Sequence, residues 1–461
     1  MSFTRIFLLT FSLCMGLAAP GRAQITIGAT MADTSTIVNY LDTPWEILWG
    51  PDDHIWITER YGRVSRLDPE TGDLTELITI DQVYESGESG LLGMVLHPDF
   101  NNYPYVFLVY NYLESSSIRE RLVRYDYEGA TLVNPITLLE GISGAGNHNG
   151  SRLVIDADLK LYMSTGDAGK TSNAQDLGSL NGKILRMNLD GSVPEDNPIT
   201  GSVIWSWGHR NPQGLVISPE GIMYSSEHGP SNDDELNIIE KGRNYGWPDV
   251  MGFCDSEPEN QYCADSNVFE PIAAWTPTLA VAGTDYYSHS AIPEWQNSLL
   301  VTTLKASSLR AMRLSTDGRS VVNEEEFFDG WFGRLRDICI SPDGRVFLAV
   351  SNLDGRGNPR AGDDRIVEIS SRNATYLPSV SDSPELSVYP NPLAGNELTI
   401  EFSIESEALM VIYNQVGGEI SRRNLIPSQN KAVVSLPDAS GVYFIKILGG
   451  NTIQGTKVLK L

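Results

Sequence analysis

The stretch SPDGRVFLAVSN, residues 341–352, joins a Pro-Asp-Gly turn directly to a short apolar strand. Pro presets the bend, Asp bonds back to its own backbone, and Gly accepts the left-handed angle that closes the turn. Outward from it, the same unit recurs as GPDDHIWITER (50–60), HPDFNNYPYVFLVYNY (97–112), DADLKLYMSTGD (156–167), SPEGIMYSSEHG (218–229) and IPEWQNSLLVTTL (292–304). The six copies stand at irregular intervals of roughly 50 to 75 residues. Residues 25–375 show almost no amphipathic helical pattern and are too many for one sandwich. Strand repeats of this length predict an all-β fold, a six-bladed β-propeller with one four-stranded sheet per repeat. Long insertions between copies then form loops on one face, where propellers carry their sites.

The two ends of the chain differ from this body. Met1 to Arg5 carry one positive charge, Ile6 to Ala19 are apolar, and Gly21-Arg22-Ala23 is a small-x-small cleavage site. This predicts a secretory signal peptide over 1–23, because the apolar run is shorter than the roughly 20 residues of a spanning helix. Cys14 follows Leu13, where lipoprotein sites carry a small residue, which argues against lipidation. No other stretch is long and apolar enough, so no membrane span is expected in the mature chain. The propeller domain is read as 24–376 and the Pro/Ser-rich LPSVSDSP at 377–384 as a linker. Residues 385–461 alternate as strands (ELTIEFSI, LMVIYNQ, KAVVSL, GVYFIKIL, GTKVLKL), which predicts a small C-terminal antiparallel β-sandwich.

With 33 basic and 59 acidic residues the formal charge is −26. Such a chain repels nucleic acid and anionic membranes, so neither is expected as a partner. Three cysteines remain after signal removal. Cys254 and Cys263 flank an acidic loop and are expected to form a disulfide in an oxidising compartment, while Cys339 in DICIS reads as a buried thiol. No cysteine pair has zinc spacing.

Chemistry-bearing residues cluster in a few places. His54 and His97 belong to the repeated turns and His289 has no motif around it. His148 lies in the polar loop SGAGNHNGSRL just before a strand, where a neutral imidazole can abstract a hydroxyl proton. In HRNPQGLVISPEGIMYSSEHGPSNDDELN (209–237), Arg210 and Asn211 can grip ligand oxygens. Gly229 and Pro230 form a turn whose carbonyls can meet a cation, and Asp233, Asp234 and Glu235 add hard oxygen ligands that suit calcium. Arg334 and Arg336 alternate with Leu335 and so share one side of a strand. One such pair is ordinarily a solvated face. With Lys305 and Arg210 it makes four cations in a very acidic chain, which points to a held anion.

These segments together resemble the soluble PQQ-dependent aldose (glucose/sorbosone-type) sugar dehydrogenases over nearly all of residues 35–370. The resemblance rests on PWEILWGPDDHIWITER, SGLLGMVLHPDF, NHNGSRL, GKILRMNLDGSVPEDNP, GHRNPQGL, EHGPSNDDELN, NYGWP, LK at 304–305 and GRLRD, in that order. It implies that His148 is the base acting on the anomeric hydroxyl, and that Arg210 and Asn211 contact the quinone. It implies that Lys305, Arg334 and Arg336 hold the PQQ carboxylates, and that Trp275 walls the sugar site. Gly229 and Pro230 would hold the calcium under the quinone, and Glu235, Tyr245 and Asp255 further, structural calcium. Three positions depart from one branch of the family: Glu88 stands near a glutamine position, Asn147 replaces an Asp beside His148, and Phe253 replaces a tyrosine. Glu88 and Asn147 therefore bear on sugar preference.

The tail resembles the C-terminal sorting domain of the type IX (Por) secretion system of Bacteroidetes, on YPNP at 389–392, NQVGGEI at 414–420, GVYFIKI at 441–447 and the terminal KVLKL. The two resemblances imply a secreted or surface-held enzyme, routed via the periplasm, that oxidises aldoses to lactones and passes electrons to an external acceptor. A calcium-dependent lactonase-type hydrolase and a non-catalytic glycan- or protein-binding propeller are the alternatives. Neither has use for the cation cluster.

Overall fold

The structure is a computed structural model that describes residues 23–372, 386–402, 408–414, 419–426, 431–449 and 452–460. The expected signal peptide, apart from Ala23, and the linker at 377–384 lie outside the described residues. The chain divides into two compact units, Met1–Ala374 and Thr375–Leu461.

The first unit is a β-propeller type of arrangement built from antiparallel sheets, with one α-helix among the described residues, at Glu257–Ser266. The opening stretch lies in a sheet where Leu335–Ile340 pairs with Val346–Val350 across the Pro-Asp-Gly turn. The other five copies of the unit occupy the same place, the turn into the second strand of their own sheets. Those second strands are Ile55–Glu59, Tyr105–Glu114, Lys160–Thr165, Met223–Glu227 and Ser298–Thr303. They are buried nearly end to end, and most open on a run of apolar residues before polar ones at the cavity end.

The first strand of each sheet (Pro44–Trp49, Leu91–Leu96, Gly150–Ile155, Pro212–Ile217, Val281–Tyr287 and Leu335–Ile340) packs against the first strand of the next, and the last packs against the first. Glycine permits the close approach. A Cβ on Gly93 would lie 1.8 Å from the Ser151 carbonyl, and one on Gly283 would lie 1.9 Å from the Asp337 carboxylate. Arg152 bridges these strands from inside. Its guanidinium reaches Glu46 at 2.6 Å, Asp337 at 2.8 Å and the Gln213 carbonyl at 2.6 Å, and lies 4.2 Å from the centre of the Trp45 ring. Burial holds the Glu46 and Asp337 carboxyls above their ordinary range, and Arg152 opposes this only in part.

The sheet of Leu335–Ile340 is completed from the other end of the unit. Arg365–Ser371 pairs with Thr30–Val38, which pairs with Ala23–Ile27. Cys254 and Cys263 are disulfide-bonded, the latter inside the helix, and Cys339 is buried and free. His54 and His97 serve their turns, with Nδ1 atoms on the Asp52 carbonyl at 2.7 Å and the Asp99 amide at 3.1 Å.

In the second unit a three-stranded and a four-stranded sheet share one buried cluster that includes Leu398, Ile400, Ile412 and Ile445. The YPNP segment clamps the last strand, Thr452–Lys460. Asn391 accepts from the Leu459 amide at 3.0 Å and donates to the Lys457 carbonyl at 3.0 Å.

Candidate active site

On one face of the ring, the loops leading into the first strands meet those leaving the second strands, as antiparallel pairing requires. There they enclose a cavity of about 390 Å³. Six cationic side chains line it (Arg60, Arg210, Lys305, Arg334, Arg336 and Arg356) against three carboxylates, Glu88, Asp234 and Asp354. His148, Gly229 and Pro230 line it as well. In a chain of net charge −26, this is a local excess of positive charge.

His148 is held at φ +57°, a backbone region that non-glycine residues seldom occupy, and its amide donates to Glu88 at 3.2 Å. Its Nδ1 meets Asp167 Oδ1 at 2.8 Å, which leaves Nε2 as the nitrogen to meet a ligand. Asp167 is wholly buried, and its carboxylate also accepts from the Gly169 amide at 2.8 Å and Trp247 Nε1 at 3.0 Å. Sequence reasoning missed Asp167, the last residue of the repeated unit DADLKLYMSTGD. It also passed over Trp247, whose ring lies 5.3 Å from the Arg210 guanidinium.

Arg210 donates to the His228 carbonyl at 3.0 Å, and burial lowers its pKa. His228 was likewise not singled out from the sequence, yet it lines the cavity. Burial first, then Arg336 and Arg210, drive its pKa far down and keep the ring neutral. Arg334 Nε donates to Asp354 at 2.7 Å, and Arg336 lies 3.7 Å from the same oxygen. The expected bare arginine pair thus shares a carboxylate that the sequence did not flag. Burial brings the Arg336 pKa down to about 10, and its NH1 donates to Gln213 at 2.8 Å. Lys305 Nζ donates to Thr278 at 3.1 Å. Glu88 pairs with Arg356 at 3.2 Å.

Other expected site residues lie elsewhere. Trp275 does not line the cavity. It packs in the core with Leu236 and Val281 and donates from Nε1 to Glu324 at 2.9 Å. Asn147 is half-buried near Gly169, outside the lining. Asn211 is buried behind the cavity, with Oδ1 accepting from the Gly150 amide at 3.1 Å and from Gln213 at 3.2 Å. Among the described residues, no group of three or more His, Cys, Asp or Glu is placed to hold a metal, and Glu235, Tyr245 and Asp255 do not form a side-chain cage. The Tyr245 hydroxyl is taken by the Ile238 carbonyl at 2.6 Å and the Glu240 amide at 2.8 Å, and Asp255 is exposed. Glu235 is bonded to Asn237 at 2.9 Å and the Gly252 amide at 2.8 Å, and burial with Glu227 nearby raises it to about 8.

A family model described as glucose / sorbosone dehydrogenase matches residues 41–358, and one described as a secretion system C-terminal sorting domain matches 387–460. The quinoprotein glucose dehydrogenase B of Acinetobacter calcoaceticus is 31% identical over 410 residues, covering 70% of this chain and 86% of that one. An aldose sugar dehydrogenase of Escherichia coli is 31% identical over 333 residues, covering 68% of this chain and 89% of that one. The PQQ-bound aldose sugar dehydrogenase from Streptomyces coelicolor superposes with a TM-score of 0.65 at 33% identity, over 77% of this chain and all of that one. The sorting domain implies secretion to the cell surface or beyond, and no described helix is long and apolar enough to cross a membrane. Ahead of that sorting domain, the chain belongs to the glucose/sorbosone dehydrogenase family.

Proposed function

We propose that the chain is an exported quinoprotein that oxidises the anomeric hydroxyl of an aldose to a lactone, on a six-bladed propeller joined to a small β-sandwich. One observation carries this reading: a single cavity joins the His148–Asp167 pair to Arg210, Lys305, Arg334 and Arg336. A planar tricarboxylate such as PQQ suits it. On residues that line the cavity, Arg210 Nε, Arg336 Nε and His228 Nε2 are buried without a partner, and such atoms ask for a polar ligand. Lys305, Arg334 and Arg336 would hold the carboxylates, and Arg210 and Asn211 the quinone edge. The carbonyls of Gly229 and Pro230 would take a calcium ion, a hard cation in need of oxygen ligands. Glu235 and the backbone of Tyr245 would serve further calcium.

Bound PQQ would supply the two-electron acceptor for the hydride on the sugar's C1. The protein's own work is proton handling and placement. Asp167 fixes the tautomer of His148 with the proton on Nδ1, so Nε2 is free to take the hydroxyl proton, and Asp167 steadies the imidazolium that results. Arg210 faces the negative charge that grows as electrons leave the sugar. Glu88, bonded to the His148 amide and to Arg356, stands where it would accept a sugar hydroxyl. Electrons would leave to an external acceptor, and the tail would engage type IX secretion machinery after passage through the periplasm.

The test is reconstitution. Metal-free protein given PQQ alone should reduce a dye with aldoses only weakly, and added calcium should restore the rate. Full activity after exhaustive chelation, with metal content measured, would remove calcium from the reading. Inactivity with every aldose despite bound PQQ would remove the reaction itself.

A further inference from the structure

Behind the catalytic loop lies a buried charge that the reaction does not use. Lys183 opens the strand Lys183–Asn188 and is wholly buried. Its Nζ donates to three backbone carbonyls, Asn173 at 2.8 Å, Ala174 at 2.9 Å and Asn181 at 2.7 Å. An ammonium has three donors, and all three are satisfied. Among the described residues Lys183 makes no ion pair with a carboxylate. A charge so placed costs more than an apolar side chain of similar length. Burial lowers its pKa to about 7, opposed by Asp176.

The three carbonyls belong to the segment 167–182, which opens with Asp167. Asn173, gripped by Lys183 through its carbonyl, donates from its side chain to the Asp167 carbonyl at 3.0 Å. Asn181 does the same to the Gly166 carbonyl at 3.1 Å. Asp167 in turn holds His148 Nδ1 at 2.8 Å. An unbroken chain of bonds therefore runs from the buried ammonium to the imidazole. Lys305, Arg334 and Arg336 come from other sheets and lie outside this chain.

We propose that Lys183 is a positioning residue for the His148–Asp167 pair, its ammonium serving as a built-in monovalent cation in a cage of backbone carbonyls. This rests on His148 being the base. Small displacements of a catalytic group are costly, so loss of the cage should act on turnover and spare cofactor and sugar affinity.

In PQQ- and calcium-loaded enzyme, Lys183→Ala should lower kcat by roughly ten- to a hundredfold. The PQQ dissociation constant and the KM for sugar should stay within about threefold of the parent, a range small against that loss. Potassium or ammonium ions, small enough for the vacated cage, should restore part of the rate, and choline should not. Asn173→Ala breaks the link while leaving the cage filled, and guards against a Lys183 variant that fails to fold. It should lower kcat without loss of the parental melting temperature. Nitrogen NMR of labelled histidine should show His148 losing its fixed tautomer in both variants. Parental kcat in Lys183→Ala, or a loss that follows PQQ release and does not respond to small cations, would overturn the proposal. If His148→Ala itself turned over normally, the reading of the base would fall instead, so the two failures are distinguishable.

Discussion

A buried carboxylate, Asp167, sets the orientation of His148, on which the proposed role as base depends. His148→Ala should lower kcat by roughly a hundredfold or more while PQQ still binds, measured by turnover beside a PQQ titration. Asp167→Asn should also cut kcat strongly, because an amide can favour the wrong tautomer. A different outcome is expected at the cations. Replacing Arg336 by Ala removes charge-assisted bonds worth about 1.5–3 kcal/mol each, so PQQ affinity should fall by roughly one to two orders of magnitude. The KM for sugar at saturating PQQ should hardly change; a raised KM with parental PQQ affinity would place Arg336 at the sugar. Arg336→Lys should recover only part, since a point charge does not reproduce a planar fork. His148 and the four cations were legible in the sequence because each broke its local pattern, a histidine amid small residues and bases in an acidic chain. Asp167 and Asp354 were not, because each follows a buried strand within or just beyond a repeated unit and reads as turn punctuation. The wall role of Trp275 came from the family resemblance alone, and its indole packs in the core and bonds Glu324.

At the level of strands, the turns announced the sheets. Pro, Asp and Gly mark a tight bend wherever they fall together, and the second strands behind them are buried on both faces. The outer strands carried no such mark: Thr30–Val38 is only partly buried, with a mixed TMADTSTIV sequence. The ion network around Arg152 was also invisible, since its members stand far apart in the chain and meet only once the first strands close. Arg152→Met should leave Glu46 and Asp337 without their partner and cost about 3–5 kcal/mol of stability, read by denaturant unfolding. The loss should be smaller at acid pH, where the two carboxyls take up protons. An unchanged unfolding midpoint would show that the network is dispensable.

For the molecule as a whole, several buried or half-buried acids form no ion pair among the described residues. Burial raises Glu120 from 4.5 to about 8, and Asp285 and Asp364 from 3.8 to about 7. A carboxyl raised on folding favours the folded state below its unfolded pKa, and that contribution is lost as pH climbs to the folded value. The share of the melting temperature due to these acids should therefore decline from about pH 4 to about pH 8, while Lys183, lowered from 10.5 to about 7, contributes a slope of opposite sign above pH 7. Glu120→Gln, which imitates the protonated acid, should flatten part of the slope; an unaltered slope would remove Glu120 from the cause. The tail is a separate unit with its own core, so a chain ending near Leu377 should keep full activity once purified, yet fail to leave the native host. Loss of activity in such protein, folded and loaded with PQQ, would give the tail a part in the chemistry.

The pairing of Arg365–Ser371 with Thr30–Val38 also sets a timetable for synthesis. The first half of that seam leaves the ribosome early, and its mate follows about 330 residues later, roughly 15 to 65 seconds at ordinary rates of translation. Throughout that interval the ring has an open edge and cannot lock. A ring that closes only on its last strand leaves one sheet edge unpaired until residue 371 has been made.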